Sequence, residues 1–302
     1  MPVRRISIGD VYDVLIVGGG PAGLSAALLL GRCRRSVLVV DDGKPRNASS
    51  RSLHGYLTRD GISPGDLLRL GRAQLRRYPD VEFSRGRVEE VKPLRDRFRA
   101  RLLGGRRVYA RFVILATGMR DDVPERPGFR EFYGRGVFHC PYCDAWEARE
   151  RPLAAYAPNP KGAGLARKLL SWSDDVTWLS DGFRPRVIPP GVKVEIEPID
   201  RLEGGRTGLK RVIFRSGRLI PCHALFFQGP PVQRSALAAS LGCAFTSKGA
   251  VRAGPREETA CPGLYVVGDA SRDVQFVVVA AAEGTRAAYA IHERLVAESP
   301  LS

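Results

Sequence analysis

Short apolar runs rich in β-branched residues recur along this chain, each bounded by glycine, polar residues or a helical stretch. The first, residues 11–17 (VYDVLIV), has the length and composition of a buried strand. Residues 24–31 continue as an apolar helix and residues 36–40 as a second strand. Further buried strands are predicted over 112–116, 153–157, 176–179, 192–196, 209–214, 224–227 and 264–267, with helices over 163–172 and 275–295. Residues 81–110 alternate between apolar and polar, and Gly104-Gly105 supplies a hairpin turn, which predicts a small meander. Strands and helices alternate in two separate stretches. The predicted fold class is therefore α/β, with two Rossmann-like nucleotide-binding domains.

The turn after the first strand reads Gly18-Gly19-Gly20-Pro21-Ala22-Gly23, a G-x-G-x-x-G fingerprint, and the second strand ends in Asp41-Asp42. Gly18 permits the tight turn, Gly20 lets a pyrophosphate approach the backbone, and Gly23 lets helix and strand pack closely. The helix start offers free N–H groups to phosphates, and Asp41 is placed to bind a ribose hydroxyl. This turn predicts a dinucleotide but does not decide between FAD and NAD.

Composition narrows the class. The 302 residues suffice for two domains, and 44% hydrophobic with 26% charged residues describes a globular chain. No apolar stretch approaches the roughly 20 residues of a membrane helix, and residues 1–10 lack a signal-peptide core, so a cytoplasmic location is expected. The formal charge of +16 favours acidic partners, yet no block of five like charges occurs, and no nucleic acid is expected. Arg95, Arg97, Arg99 and Arg101 alternate as though along one solvated strand face. Of six cysteines, Cys33, Cys222, Cys243 and Cys261 are isolated and read as small buried hydrophobes. Cys140 and Cys143 form a C-x-x-C, followed at once by Asp144. That spacing can close a disulfide and lower a thiol pKa. Zinc needs four ligands, and Cys222-His223 is the only candidate complement, so no metal is expected.

Taken in order, the Gly18 to Gly23 turn, Ala116-Thr117-Gly118, the Cys140/Cys143/Asp144 motif and Gly268-Asp269 resemble the low-molecular-weight thioredoxin reductases over essentially the whole chain. The resemblance implies a discontinuous FAD domain, residues 1–118 and 250–302, with residues 119–249 inserted as a pyridine-nucleotide-type domain carrying the cysteine pair. It assigns the first fingerprint to FAD, with contacts at Gly18, Gly20, Pro21, Ala22, Gly23 and Asp41. It adds Ala116, Thr117 and Gly118, and Gly268, Asp269 and Gln275 near the C-terminus. The polar loop holding Arg46 and His54 would reach the isoalloxazine edge. It also implies that Cys143 faces the flavin, Cys140 exchanges with the substrate disulfide, Asp144 is the acid/base, and the chain is a homodimer. Independently, Asp269 after a strand suits a ribityl chain, and the helix starting near residue 274 would direct its positive end at the pyrimidine side of a flavin.

One departure stands out. The family's second fingerprint is here Ala157-Pro158-Asn159-Pro160-Lys161-Gly162, with alanine and asparagine for its first two glycines. Asn159 would fill pyrophosphate space, and two prolines remove donors. After the next strand Asp181 would repel a 2′-phosphate, which Arg184 and Arg186 offset only in part. The resemblance is thus to the pyridine-nucleotide-independent branch. The expected function is an FAD-dependent disulfide oxidoreductase acting on a thioredoxin-like protein without NADPH, with an acidic donor such as ferredoxin. Two alternatives stay within the family. One is an oxidase that closes a disulfide in a small dithiol with oxygen as acceptor, though such relatives place histidine where Asp144 stands. The other is an ordinary NADPH-dependent thioredoxin reductase. A flavin-binding sensor without turnover is a fourth reading, which the intact cysteine pair opposes.

Overall fold

The strand Val11–Val17 is buried along most of its length because both of its faces are covered. The computed structural model describes residues 11–271 and 274–298; residues 1–10, where the sequence shows no signal core, lie outside the described residues. Val11–Val17 runs parallel between Val37–Asp41 and Arg107–Leu115, with Val81–Arg85 parallel at the edge. From Val14 onward its alternate side chains enter separate cores, while Tyr12 at its start joins the second. Val14 and Ile16 pack toward the helices Pro21–Arg32 and Val277–Ala297, while Tyr12, Leu15 and Val17 pack toward Phe98, Leu237 and Val251. A strand covered on both faces carries a continuous apolar run.

Arg107–Leu115 serves two neighbours on its other side. Its first half pairs antiparallel with Phe98–Leu102, and its second half pairs parallel with Leu264–Val266. This strand therefore brings the end of the chain back beside the start. The meander is shorter than the alternation predicts. It comprises Val88–Pro93, Phe98–Leu102 and Arg107–Leu115, joined by a hairpin in which Gly104 and Gly105 both take φ of 88°. Val81–Arg85 belongs instead to the parallel edge. The arginine stripe is also shorter. The strand starts at Phe98, so Arg99 and Arg101 share its outward face while Arg95 and Arg97 precede it, and Arg97 and Arg101 pair with Asp96 and Glu89.

The second sheet is wholly parallel, in the order Val192–Glu195, Val176–Leu179, Leu153–Tyr156, Ala224–Phe227, Val137–Phe138. A three-stranded antiparallel sheet, Ile199–Gly205, Gly208–Phe214 and Leu219–Pro221, packs beside it. The chain crosses between the two sheets twice, and Met119–Arg120 pairs antiparallel with Val232–Gln233 where it does so. Among the described residues no helix is long and apolar enough to cross a membrane.

Candidate active site

The turn following Val11–Val17 is held open by contacts that only glycine allows. Gly18 has φ of 110°, and a Cβ there would lie 2.2 Å from the Ala116 carbonyl oxygen; one on Gly23 would lie 2.0 Å from that of Gly18. At Gly20 a Cβ would meet nothing within 4 Å, so that backbone faces open space. Gly20 is also the cap residue of Pro21–Arg32 and supplies no side-chain hydrogen bond. The helix's first N–H groups are left to a ligand. Asp41 accepts from the Gly19 N–H at 3.1 Å, which ties the end of the second strand to the turn.

These residues border a groove of about 850 Å³. Gly18, Gly20, Pro21, Ala22, Asp41, Arg46, His54, Ala116, Thr117, Gly118, Cys143, Asp144, Gly268, Asp269 and Gln275 all line it. Two of the sequence-predicted residues do not. Gly23 sits behind the turn and acts through packing, and Cys140 does not border the groove but is joined to it through the disulfide with Cys143. The C-terminal helix begins at Val277, after the predicted position, and leaves Gln275 and Phe276 as groove wall. Its cap residue Phe276 makes no side-chain bond, so a second uncapped helix start faces the cavity.

Several groups in no motif hold this wall. Glu283 is 1% exposed in the C-terminal helix and accepts from the Gly268 N–H at 2.7 Å, fixing the Gly268-Asp269 turn. Arg46 donates to Asp269 at 2.8 Å, to Gln275 at 2.6 Å, and to both oxygens of Asp121. Asp121 in turn accepts from Tyr133 at 2.5 Å and lies 3.6 Å from His139. Burial alone would push the Asp121 carboxyl up, but the hydrogen bond from Arg46 and the neighbouring His139 and Tyr133 hold it below the usual carboxylate range. Burial lowers His139, against the pull of Asp121. An acid inside an apolar helix is the one signal that could have marked Glu283. Nothing local marks Asp121 or Tyr133.

Cys140 and Cys143 are joined in a disulfide at the start of the one-turn helix Pro141–Asp144. Asp144 ends that turn. Its carboxyl is pushed up to about 7, first by burial and then by Glu147, against the pull of His54. A carboxyl with that value, bordering the same cavity as Cys143, can give or take a proton at neutral pH. The groove's size, its two open helix starts and its acids at Asp41 and Asp269 fit a dinucleotide with a ring system beside Cys143.

The second fingerprint is built differently. Gly162 survives where a Cβ would lie 2.1 Å from Trp178 Nε1, and that indole donates to the Ala157 carbonyl at 2.9 Å. Asn159 Oδ1 accepts the Lys161 N–H at 3.0 Å, occupying a donor that a phosphate would use. Asp181, whose side chain is 2% exposed, is engaged by Arg126 and the Tyr156 hydroxyl, each at 2.8 Å, and by the Ile199 N–H at 2.9 Å.

A model of the pyridine nucleotide-disulphide oxidoreductases matches residues 12–167, and the chain belongs to that family. It is a disulfide oxidoreductase of thioredoxin reductase-like fold. It is 30% identical to a protein of Arthroderma benhamiae described as a "Probable thioredoxin reductase", over 95% of this chain and 81% of that one. The crystal structure of HlmI superposes with a TM-score of 0.90 at 35% identity, covering 95% of this chain and 93% of its own. An oxidoreductase from Agrobacterium tumefaciens gives 0.87 at 34%, covering 96% of this chain and all of its own.

Proposed function

We propose that this chain binds FAD in the groove and exchanges electrons between it and the Cys140/Cys143 pair, which in turn exchanges with the disulfide of a thioredoxin-like protein. Bound FAD would supply the two-electron chemistry. Gly18, Gly20, Pro21, Ala22 and Asp41 would hold its phosphates and ribose. Arg46, Asp269 and Gln275 would hold the far end, and Asp144 would manage the proton of the departing thiol. Electrons reach or leave the pair by a route other than NADPH on the inserted domain, defined as residues 119–249. The observation that carries this is the contrast between the two fingerprints: one opens onto a cavity bordered by Cys143, while in the other the Lys161 N–H is taken by Asn159, the Ala157 carbonyl accepts from Trp178, and Asp181 is engaged by Arg126 and Tyr156. Ferredoxin is the donor class in view, and a homodimer in the cytoplasm the expected form.

A second reading, oxidation of a small dithiol with oxygen as acceptor, draws on the same altered second fingerprint and on a cleft of about 300 Å³ that reaches Asp144, though it is bordered by neither cysteine. A cleft of that size admits a small thiol but no folded protein.

Anaerobic mixing of the yellow protein with NADPH, NADH, reduced ferredoxin or a dithiol separates the readings. We expect bleaching by ferredoxin or dithiol and none by NADPH; rapid bleaching by NADPH sinks the proposal. Fast reoxidation in air after dithiol reduction selects the second reading. Cys143→Ser should retain FAD and lose all exchange with disulfides.

A further inference from the structure

Asp144 borders two spaces. Ser52, His54 and Asp144 line both the main groove and the smaller cleft, so they form the partition between them, and Glu147 lines the cleft alone. His54 stands in that partition with Nε2 3.5 Å from Glu147 and Nδ1 3.4 Å from Asp60. Side-chain exposure rises outward, from 23% at His54 to 47% at Glu147 and 67% at Asp60. The sequence assigns His54 to the flavin edge; the geometry gives it carboxylates on two sides.

The reaction needs an outlet there. When the Cys140/Cys143 dithiol closes to a disulfide, two S–H bonds break and one S–S bond forms, releasing two electrons and two protons. Two electrons and one proton pass to the cofactor, which leaves one proton for the protein to carry away. Reduction of the pair runs the same balance backward. Asp144 can hold that proton, and it shares the cleft with His54 and Glu147, whose side chains lead to the more exposed Asp60.

We propose that His54, backed by Glu147, relays this proton between Asp144 and the outer cleft. An imidazole can accept on one nitrogen while donating from the other. The spacings to Glu147 and Asp60 are long for direct hydrogen bonds and are spanned by a small rotation or one water. The other titratable or charged groups near this path are Tyr133, a neutral phenol whose hydroxyl feels Asp144, and Arg51, Arg135 and His223 around the cleft. The inference rests on Asp144 as the acid/base of the proposed reaction. His54 and Glu147 act through Asp144, the one as transfer residue and the other as positioning residue.

Carbon-13 NMR of the aspartate carboxyls in the full-length protein, with the Asp144 signal assigned by its loss in Asp144→Asn, reads the coupling without turnover. Glu147→Gln removes a like charge and should move the Asp144 midpoint down by about one pH unit; His54→Gln should move it up. His54→Ala should slow exchange with disulfides at least about tenfold, and imidazole, which the cleft can hold, should restore it in proportion to its concentration. An Asp144 midpoint unmoved in both variants, or slowed exchange that imidazole does not restore, overturns the relay. Full exchange in Asp144→Asn would instead overturn the functional reading beneath it.

Discussion

Asp144 holds a carboxyl near neutrality in a place where burial disfavours its charge, and that has a cost as well as a use. Its folded value of about 7 lies above the unfolded value near 3.8. The folded state therefore binds the extra proton between those limits, and the contribution to stability is full below about pH 4 and lost as pH rises through 7. Asp144→Asn removes this dependence. Relative to the parent, the variant should gain stability on going from pH 5 to pH 8, by on the order of 2 kcal/mol given its partial exposure. Urea denaturation of both proteins at the two pH values measures this, and parallel profiles would contradict it. Residues such as Asp144, Cys143 and Gly18 were legible in the sequence because short spacing ties each to a known chemistry. Asp121, Tyr133 and Glu283 were not, because their partners lie a dozen or more residues away in the chain and no spacing records a contact made by folding.

At the scale of elements, the crossing of Pro21–Arg32 with Val277–Ala297 fixes the dinucleotide turn from behind. A Cβ on Gly284 would lie 2.0 Å from the Ala22 carbonyl oxygen, so the two helices touch backbone to backbone there. Ala22 also lines the groove. Gly284→Ala should cost about 2–3 kcal/mol through overpacking and should weaken retention of FAD. Gly164→Ala is the control. That helical glycine faces open space, and the change should be neutral or stabilise by up to about 1 kcal/mol. Denaturant midpoints of the two variants decide the matter. Most elements were readable from period and length, since strands covered on both faces announce themselves as continuous apolar runs. Val81–Arg85 misled because its partly exposed edge position gives it the alternation of a meander strand, although it pairs parallel with Val37–Asp41.

Across the whole molecule, the first, mixed sheet and the second, parallel sheet are joined by two chain crossings, and the Arg46 network ties them together beside the disulfide. Arg46 and Asp269 come from the part that holds the first sheet; Tyr133 and His139 flank the second, and Asp121 follows the crossing strand Met119–Arg120. Both Arg46 and Asp121 are well enclosed, with side chains 13% and 6% exposed. Charges so placed are costly unless matched, and removing Asp121 leaves the enclosed Arg46 with only Asp269 and Gln275 to compensate it. Asp121→Asn should therefore destabilise by about 3 kcal/mol. Its depressed carboxyl also means that the pair's contribution, present above about pH 4, is lost as pH falls through the folded value. Replacing both partners, as Arg46→Met with Asp121→Leu, leaves neither charge of the pair unmatched; although Asp269 loses its Arg46 contact and the Tyr133 hydroxyl its acceptor, both are less enclosed than a lone buried charge, and the change should cost less than Asp121→Asn alone. If the network does hold Cys143 against the groove, both changes should slow exchange between FAD and the disulfide even where stability recovers. Denaturation in urea together with stopped-flow reduction of FAD by a dithiol measures the two effects separately, and a double variant with parental exchange rates would reduce the network to a purely structural tie.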